Sequence, residues 1–193
     1  MSVVNDPQLD RISEIMKNSK FPWYIAGGWS IDLAIGRKTR EHKDMDIVVF
    51  REYIPDVLAY FENWEIGVAI PGENRLESVI NMNQVMQPRY CLHIKNEVDF
   101  VEVLLTDRLS THAIYRRNPS ITIPLIDLIK TDPMNRSYIT PEWQLLFKSK
   151  SPRDYDEQDY INSISYLSIR QKEWLKQSLV DTNASVKWIE LLS

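Results

Sequence analysis

Two adjacent glycines, Gly27 and Gly28, constrain this chain more than any other feature, because only five glycines occur in its 193 residues. A short apolar run from Trp23 to Ala26 leads into them and reads as a buried strand. Helical spacing begins at once behind them, from Trp29 to Ile35, and stops at Gly36, a residue suited to a helix C-terminus. A strand passing directly into a helix through two residues without Cβ lets a phosphate lie close to the backbone. The free N–H groups and the dipole of the helix start favour such an anion.

Some sixteen residues after the pair come Asp44 and Asp46, at the start of an apolar, β-branched strand that runs to Phe50. Strand alternation puts the two carboxylates on one face. Carboxylates at that spacing can share a hard divalent ion, which takes oxygen ligands and leaves positions for phosphate oxygens. Arg37, Arg40 and His42 lie between the glycines and the aspartates and offer cationic or switchable groups for a polyphosphate. These ingredients fit metal-assisted nucleotidyl transfer.

The rest of the chain reads as a mixed α/β pattern. Asp6-Pro7 opens a helix with Leu9, Ile12, Ile15 and Met16 on one stripe. Pro55 to Trp64 reads as a helix and Glu65 to Ile70 as a strand, whereas Glu73 to Gln87 has no clear period. Tyr90 to Ile94 and Glu97 to Leu105 read as strands joined through Lys95-Asn96, and Ile114 to Arg117 and Ile121 to Ile123 as a further short pair. Thr140-Pro141-Glu142 opens a helix through Lys150, and helical patterns follow over Asp156 to Tyr166, Ser168 to Leu179 and Ser185 to Leu192. Strands thus fall before about residue 125 and helices after about 140. The class expected is α+β, a mixed sheet with flanking helices plus a C-terminal helical part.

Composition removes several function classes. A formal charge of −4 disfavours a long nucleic-acid partner. A single cysteine, Cys91, excludes an internal disulfide and a cysteine-based zinc cage. No apolar stretch reaches membrane-spanning length, and Met1 to Asp10 lacks the pattern of a signal peptide, so the cytoplasm is the expected compartment. No serine stands in a Gly-x-Ser-x-Gly elbow, which leaves a hydrolase triad without support.

The ordered set Gly27-Gly28-Trp29-Ser30-Ile31-Asp32, Gly36-Arg37, Arg40-Glu41-His42 and Asp44-Met45-Asp46 resembles the nucleotidyltransferase superfamily that includes DNA polymerase beta. More narrowly, it is similar to the small bacterial aminoglycoside and lincosamide adenylyltransferases and their uncharacterised relatives. Pro141 to Lys148, followed by Asp156-Glu157-Gln158-Asp159-Tyr160, resembles that family's C-terminal helix with its lysine and its Lys-Asp-x-x-Asp-Phe run, with Tyr155 where lysine is common. The resemblance covers roughly residues 20 to 50, 97 to 104 and 140 to 175.

It implies a polymerase-beta-like core over residues 1–139 and a helical part over 140–193, packed as one unit. It implies transfer of a nucleoside monophosphate, AMP from ATP or from another nucleoside triphosphate, to a hydroxyl of a small molecule. Asp44, Asp46 and a third carboxylate would hold Mg²⁺. Asp99 is the candidate for the third, with Glu97 and Glu102 as alternatives; alternation puts Glu97 on the face of Asp99 and Glu102 on the other. Gly27, Gly28, Arg40, His42 and Lys148 would line the nucleotide. A protein or RNA-end acceptor, or a nucleotide-binding module with little turnover, are the competing expectations. The acceptor and the oligomeric state are not fixed by the sequence.

Overall fold

The computed structural model describes residues 3–192. Its centre is a mixed sheet whose strands are β1 (Tyr24–Ile25), β2 (Asp46–Phe50), β3 (Glu65–Ala69), β4 (Leu76–Ser78), β5 (Cys91–Lys95), β6 (Phe100–Leu109), β7 (His112–Ile114), β8 (Thr122–Pro124), β9 (Ile129–Thr131) and β10 (Ser137–Ile139). Their order is β4-β3-β5-β6-β2-β1-β10-β9, with β7 on β6 and β8 on β7. Two pairings are parallel, β2 with β6 and β1 with β10; the others are antiparallel.

The helices are α1 (Pro7–Met16), α2 (Gly27–Ile35), α3 (Ile54–Tyr60), the single turn α4 (Leu125–Leu128), α5 (Pro141–Lys148), α6 (Asp154–Ile164), α7 (Ile169–Asp181) and α8 (Val186–Leu191). Asp6 caps α1, its carboxylate accepting from the Gln8 N–H at 3.0 Å, with Pro7 at the first position. Gly36 closes α2 in the left-handed region, at φ 82°.

Alternation along the central strands divides the core in two. Ile47 and Val49 of β2 and Val101, Val103 and Leu105 of β6 point to one face, with Leu9, Ile12 and Met16 of α1 and Val57 of α3. Val48 and Phe50 point to the other, with Trp143, Leu145 and Leu146 of α5, Tyr160 of α6, Leu175 of α7 and Trp188 of α8. β2 is buried on both sides, as its unbroken apolar run suits.

The structure sharpens several boundaries. The glycine pair is the first turn of α2 rather than a turn before it. The expected strand from Glu97 begins only at Phe100, because residues 96–99 form the turn from β5; Asn96 accepts from the N–H groups of Val98 and Asp99. The segment without a period holds β4 and a short 3₁₀ turn, Met82–Val85. β9 and β10 lie beyond the point where strands were expected to end; each is three residues long, too short for a periodic pattern. No helix among the described residues is long and apolar enough to cross a membrane.

Ile47 is fully buried at the centre of this sheet. Ile47→Ala should cost about 2–5 kcal/mol, read as a lower midpoint in urea unfolding with little change in slope.

Candidate active site

The parallel pairing of β2 and β6 sets Asp46 directly beside Glu102. The register is reinforced one residue earlier, where the Glu102 N–H donates to the Met45 carbonyl at 3.0 Å. Both side chains have the parity of Val48 and Leu104, so both stand on the face that α5 covers. Asp44, exposed in the bend before β2, adds a third carboxylate near them. Burial first, then the charges of Glu102 and Asp44, push the Asp46 carboxyl up to about 7, against the pull of Lys148 and Arg40.

Asp99, the expected third carboxylate, is placed elsewhere. It stands before β6, beyond the turn, and is held by Arg11 of α1 in a two-pronged pair at 2.7 and 2.5 Å. That hydrogen bond keeps its carboxyl below the usual range, against a small effect of burial. It therefore belongs to the α1 side of the sheet, the face opposite to Glu102. Glu97 is exposed in the same turn. The carboxylate brought beside Asp46 is Glu102.

The glycine pair has a steric reason in the chain's own side chains. Gly27 sits at φ +61°, and a Cβ there would run into the Asp46 carboxylate; a Cβ on Gly28 would run into the His42 ring and the Arg40 guanidinium. The close approach expected of a phosphate is thus first made by Asp46, His42 and Arg40. The Gly27 N–H donates to the buried Gln144 Oε1 of α5 at 3.2 Å, which joins the start of α2 to the C-terminal helices.

His42 is buried, and its Nε2 donates to Asp32 Oδ2 at 2.6 Å. Asp32 in turn accepts from Thr39 at 2.5 Å through its other oxygen, and Trp29 packs against the imidazole with ring centroids 4.3 Å apart. Because a carboxylate can only accept, Nε2 carries the proton of this bond, and Nδ1 faces the glycine side. Arg37 is exposed and lines neither cleft described below.

Lys148, at the end of α5, bonds Asp156 at 2.7 Å and reaches Asp159 at 3.0 Å. Arg40 forks onto the same Asp159 at 2.7 and 2.9 Å, which raises its own pKa. Burial works to raise the Asp156 carboxyl, but Lys148 and the Arg153 N–H hold it low. Tyr155, where the resembling family commonly has lysine, offers its ring to Arg153, Arg40 and Lys148 at 4.3, 5.2 and 5.7 Å.

Two clefts meet at this point. The first, of about 380 Å³, is lined by Gly28, Arg40, His42, Asp44 and Tyr155. The second, of about 370 Å³, is lined by Gly27, Tyr90, Arg116, Trp143 and Phe147. Asp46, Glu102, Lys148 and Arg153 line both. Cys91 and His93 flank Glu102 from β5: the thiol donates to Oε1 at 3.1 Å and the imidazole Nε2 lies 3.9 Å from Oε2. Burial and the Glu102 charge push the Cys91 thiol up, so it stays protonated.

The carboxylates suit Mg²⁺ by donor type, since Asp44, Asp46 and Glu102 offer only oxygen. Burial first, and the charges of Glu102 and Asp44 second, raise Asp46, and a bound cation would offset both.

Residues 8–83 match the family model described as aminoglycoside-2''-adenylyltransferase. A lincosamide resistance protein of Staphylococcus haemolyticus is 30% identical over 67 residues, which is 35% of this chain and 40% of that protein's length. Among solved structures, lincosamide antibiotic adenylyltransferase LnuA with lincomycin bound superposes with a TM-score of 0.58 at 22% identity, over 86% of this chain and all of that one. ANT(2'')-Ia in complex with adenylyl-2''-tobramycin gives 0.57 at 14% identity, over 90% and 96%. The resemblance read in the motifs is borne out, and the fold is that of the polymerase-beta-like nucleotidyltransferases.

Two outcomes follow from the geometry. Gly27→Ala should displace Asp46 or α2 and lower the melting temperature, and Gly28→Ala should do the same through His42 and Arg40. Because the folded Asp46 carboxyl titrates near 7 rather than near its unfolded value of about 4, the fold favours its protonated form. Metal-free protein should therefore lose stability as pH rises from about 4 to about 7, by up to about 4 kcal/mol from this one group. Asp46→Asn should flatten that dependence and raise the metal-free melting temperature at pH 8. A variant as pH-sensitive as the parent would contradict the assignment.

Proposed function

We propose that this chain is a Mg²⁺-dependent nucleotidyltransferase that moves AMP from ATP to a hydroxyl of a small molecule. The observation that carries the reading is the pairing of Asp46 with Glu102 at the junction of two clefts, beneath the start of α2 and within reach of Lys148 and Arg40. The similarity to antibiotic adenylyltransferases supports the reaction class and a small acceptor.

In this reading the triphosphate lies in the first cleft, along Gly28 and the opening turn of α2, with the dipole of that helix behind it. Arg40 and Lys148 neutralise its charge from the α6 side. His42, held by Asp32, completes the wall. Asp44 and Asp46 would hold Mg²⁺ with Glu102 alongside, and the ion would supply charge neutralisation on the attacked phosphate. The acceptor enters through the second cleft, which shares the carboxylate wall.

The acceptor oxygen attacks the α-phosphorus in line. An O–P bond to the acceptor forms, the bond from the α-phosphorus to the bridging oxygen breaks, and pyrophosphate leaves. The hydroxyl proton passes to the Glu102 carboxylate, which lines both clefts beside Asp46. The two glycines act by admitting Asp46, His42 and Arg40 to the backbone of α2, and Gln144 holds that turn in place.

The test is pyrophosphate release with ATP and Mg²⁺ over a panel of aminoglycosides, lincosamides and sugar-like alcohols. Asp46→Asn should abolish release while the protein stays folded. Glu102→Gln should lower turnover about 10²- to 10⁴-fold, as loss of a general base does, whereas Asp99→Asn should leave it within a few-fold of the parent. If Asp99→Asn were the damaging change and Glu102→Gln the silent one, the carboxylate assignment would be wrong.

A further inference from the structure

Arg116 is the cation that neither the fold nor the proposed reaction explains. Three cations shared by or facing the carboxylate wall have carboxylate partners: Arg40 with Asp159, Lys148 with Asp156 and Asp159, Arg153 with Asp156. Arg116 has no carboxylate within ion-pair distance among the described residues. Its guanidinium lies 3.2 Å from the centroid of the Tyr90 ring and 5.3 Å from that of Phe147. It is partly buried, and it lines only the second cleft. Arg117 stands next to it on the same wall; its Nη1 donates to the Phe147 carbonyl at 2.7 Å, and it too has no carboxylate among the described residues.

A guanidinium set against an aromatic ring and taken partly out of water without a carboxylate counter-ion is costly to keep charged. Its planar fork is shaped for the two oxygens of a carboxylate or the oxygens of a phosphate. The remaining wall, from Trp143, Phe147, Tyr90 and Leu104, is aromatic and apolar, and the cleft has the size of a small-molecule site. The negative groups of the cleft, Asp46 and Glu102, lie on the wall shared with the first cleft, where Lys148, Arg153 and the proposed Mg²⁺ offset them.

We propose that the second cleft takes an acceptor that carries, besides its reacting hydroxyl, an oxyanion held by Arg116 and an apolar or planar body laid against Tyr90, Phe147 and Trp143. This rests on the nucleotidyltransferase reading for the hydroxyl's role, but the anion site itself does not. The same cleft disfavours a polycationic acceptor, because ammonium groups there meet two arginines without carboxylate partners.

A charge series of one shape tests this: para-(hydroxymethyl)benzoate, its neutral benzamide counterpart and its cationic benzylamine counterpart. Binding of each is measured by calorimetry to the whole protein, with and without Mg²⁺ and the α,β-methylene analogue of ATP. The benzoate should bind at least tenfold more tightly than the benzamide, with the benzylamine weakest. Arg116→Gln should remove the preference and leave affinity for the ATP analogue unchanged, and Arg116→Lys should keep part of it. Equal affinities across the series, or a preference for the amine, overturn the proposal. So does an Arg116→Gln variant that weakens the ATP analogue as much as the benzoate, since that would place the nucleotide in this cleft. An Arg116-dependent benzoate preference in a protein that binds no Mg²⁺–ATP analogue would instead sink the nucleotidyltransferase reading and leave the anion site standing.

Discussion

Everything at this site depends on the in-register parallel pairing of two strands. β2 and β6 come from distant parts of the chain, and their register decides which side chains become neighbours. It sets Asp46 against Glu102, two groups of like charge on one partly buried wall. Such a pair is unfavourable by itself, and burial together with the Glu102 charge raises the proton affinity of Asp46. The surroundings answer that cost from several directions. Lys148 and Arg40 approach from the C-terminal side, the helix start of α2 points its dipole there, and the donor set matches a hard cation.

The N-terminal half of this arrangement is legible in the sequence because its parts are local. Glycine pair, helix, cationic loop and Asp44-x-Asp46 follow one another within about twenty residues, and the helix end at Gly36 and the strand Asp46–Phe50 fall where their patterns put them. The identity of the third carboxylate is not local. Alternation separates Glu97 and Asp99 from Glu102, but it does not tell which face of β6 meets Asp46. That is decided by α1 covering one face and α5 the other, and by Arg11 claiming Asp99. The same limit hides β9 and β10, whose three residues each gain their meaning only from pairing, β10 beside β1.

Histidine and tyrosine positions show a further limit. His42 reads from sequence as a phosphate contact, and its buried bond to Asp32 adds a structural duty that spacing does not reveal. Tyr155 reads as a departure from a familiar pattern. In the fold its ring occupies the place among Arg40, Lys148 and Arg153 where one more positive charge would raise repulsion. The arginine at 116 carries no sequence motif at all; its meaning appears only when carboxylate partners are sought around it.

Two cations from opposite halves of the chain, Arg40 and Lys148, meet on Asp159. Lysine and arginine are the side chains with the most rotational freedom to lose, close to 2 kcal/mol each. Here that freedom is surrendered when the chain folds, not when a ligand arrives. In the proposed reaction an incoming triphosphate would find both charges already standing at fixed positions and need only draw them part of the way from an aspartate that keeps them in place. In that reading the aspartate is a rest for the cations, trading some gross attraction for readiness, and it would tie the seam between the two halves of the chain to the anion in the cleft.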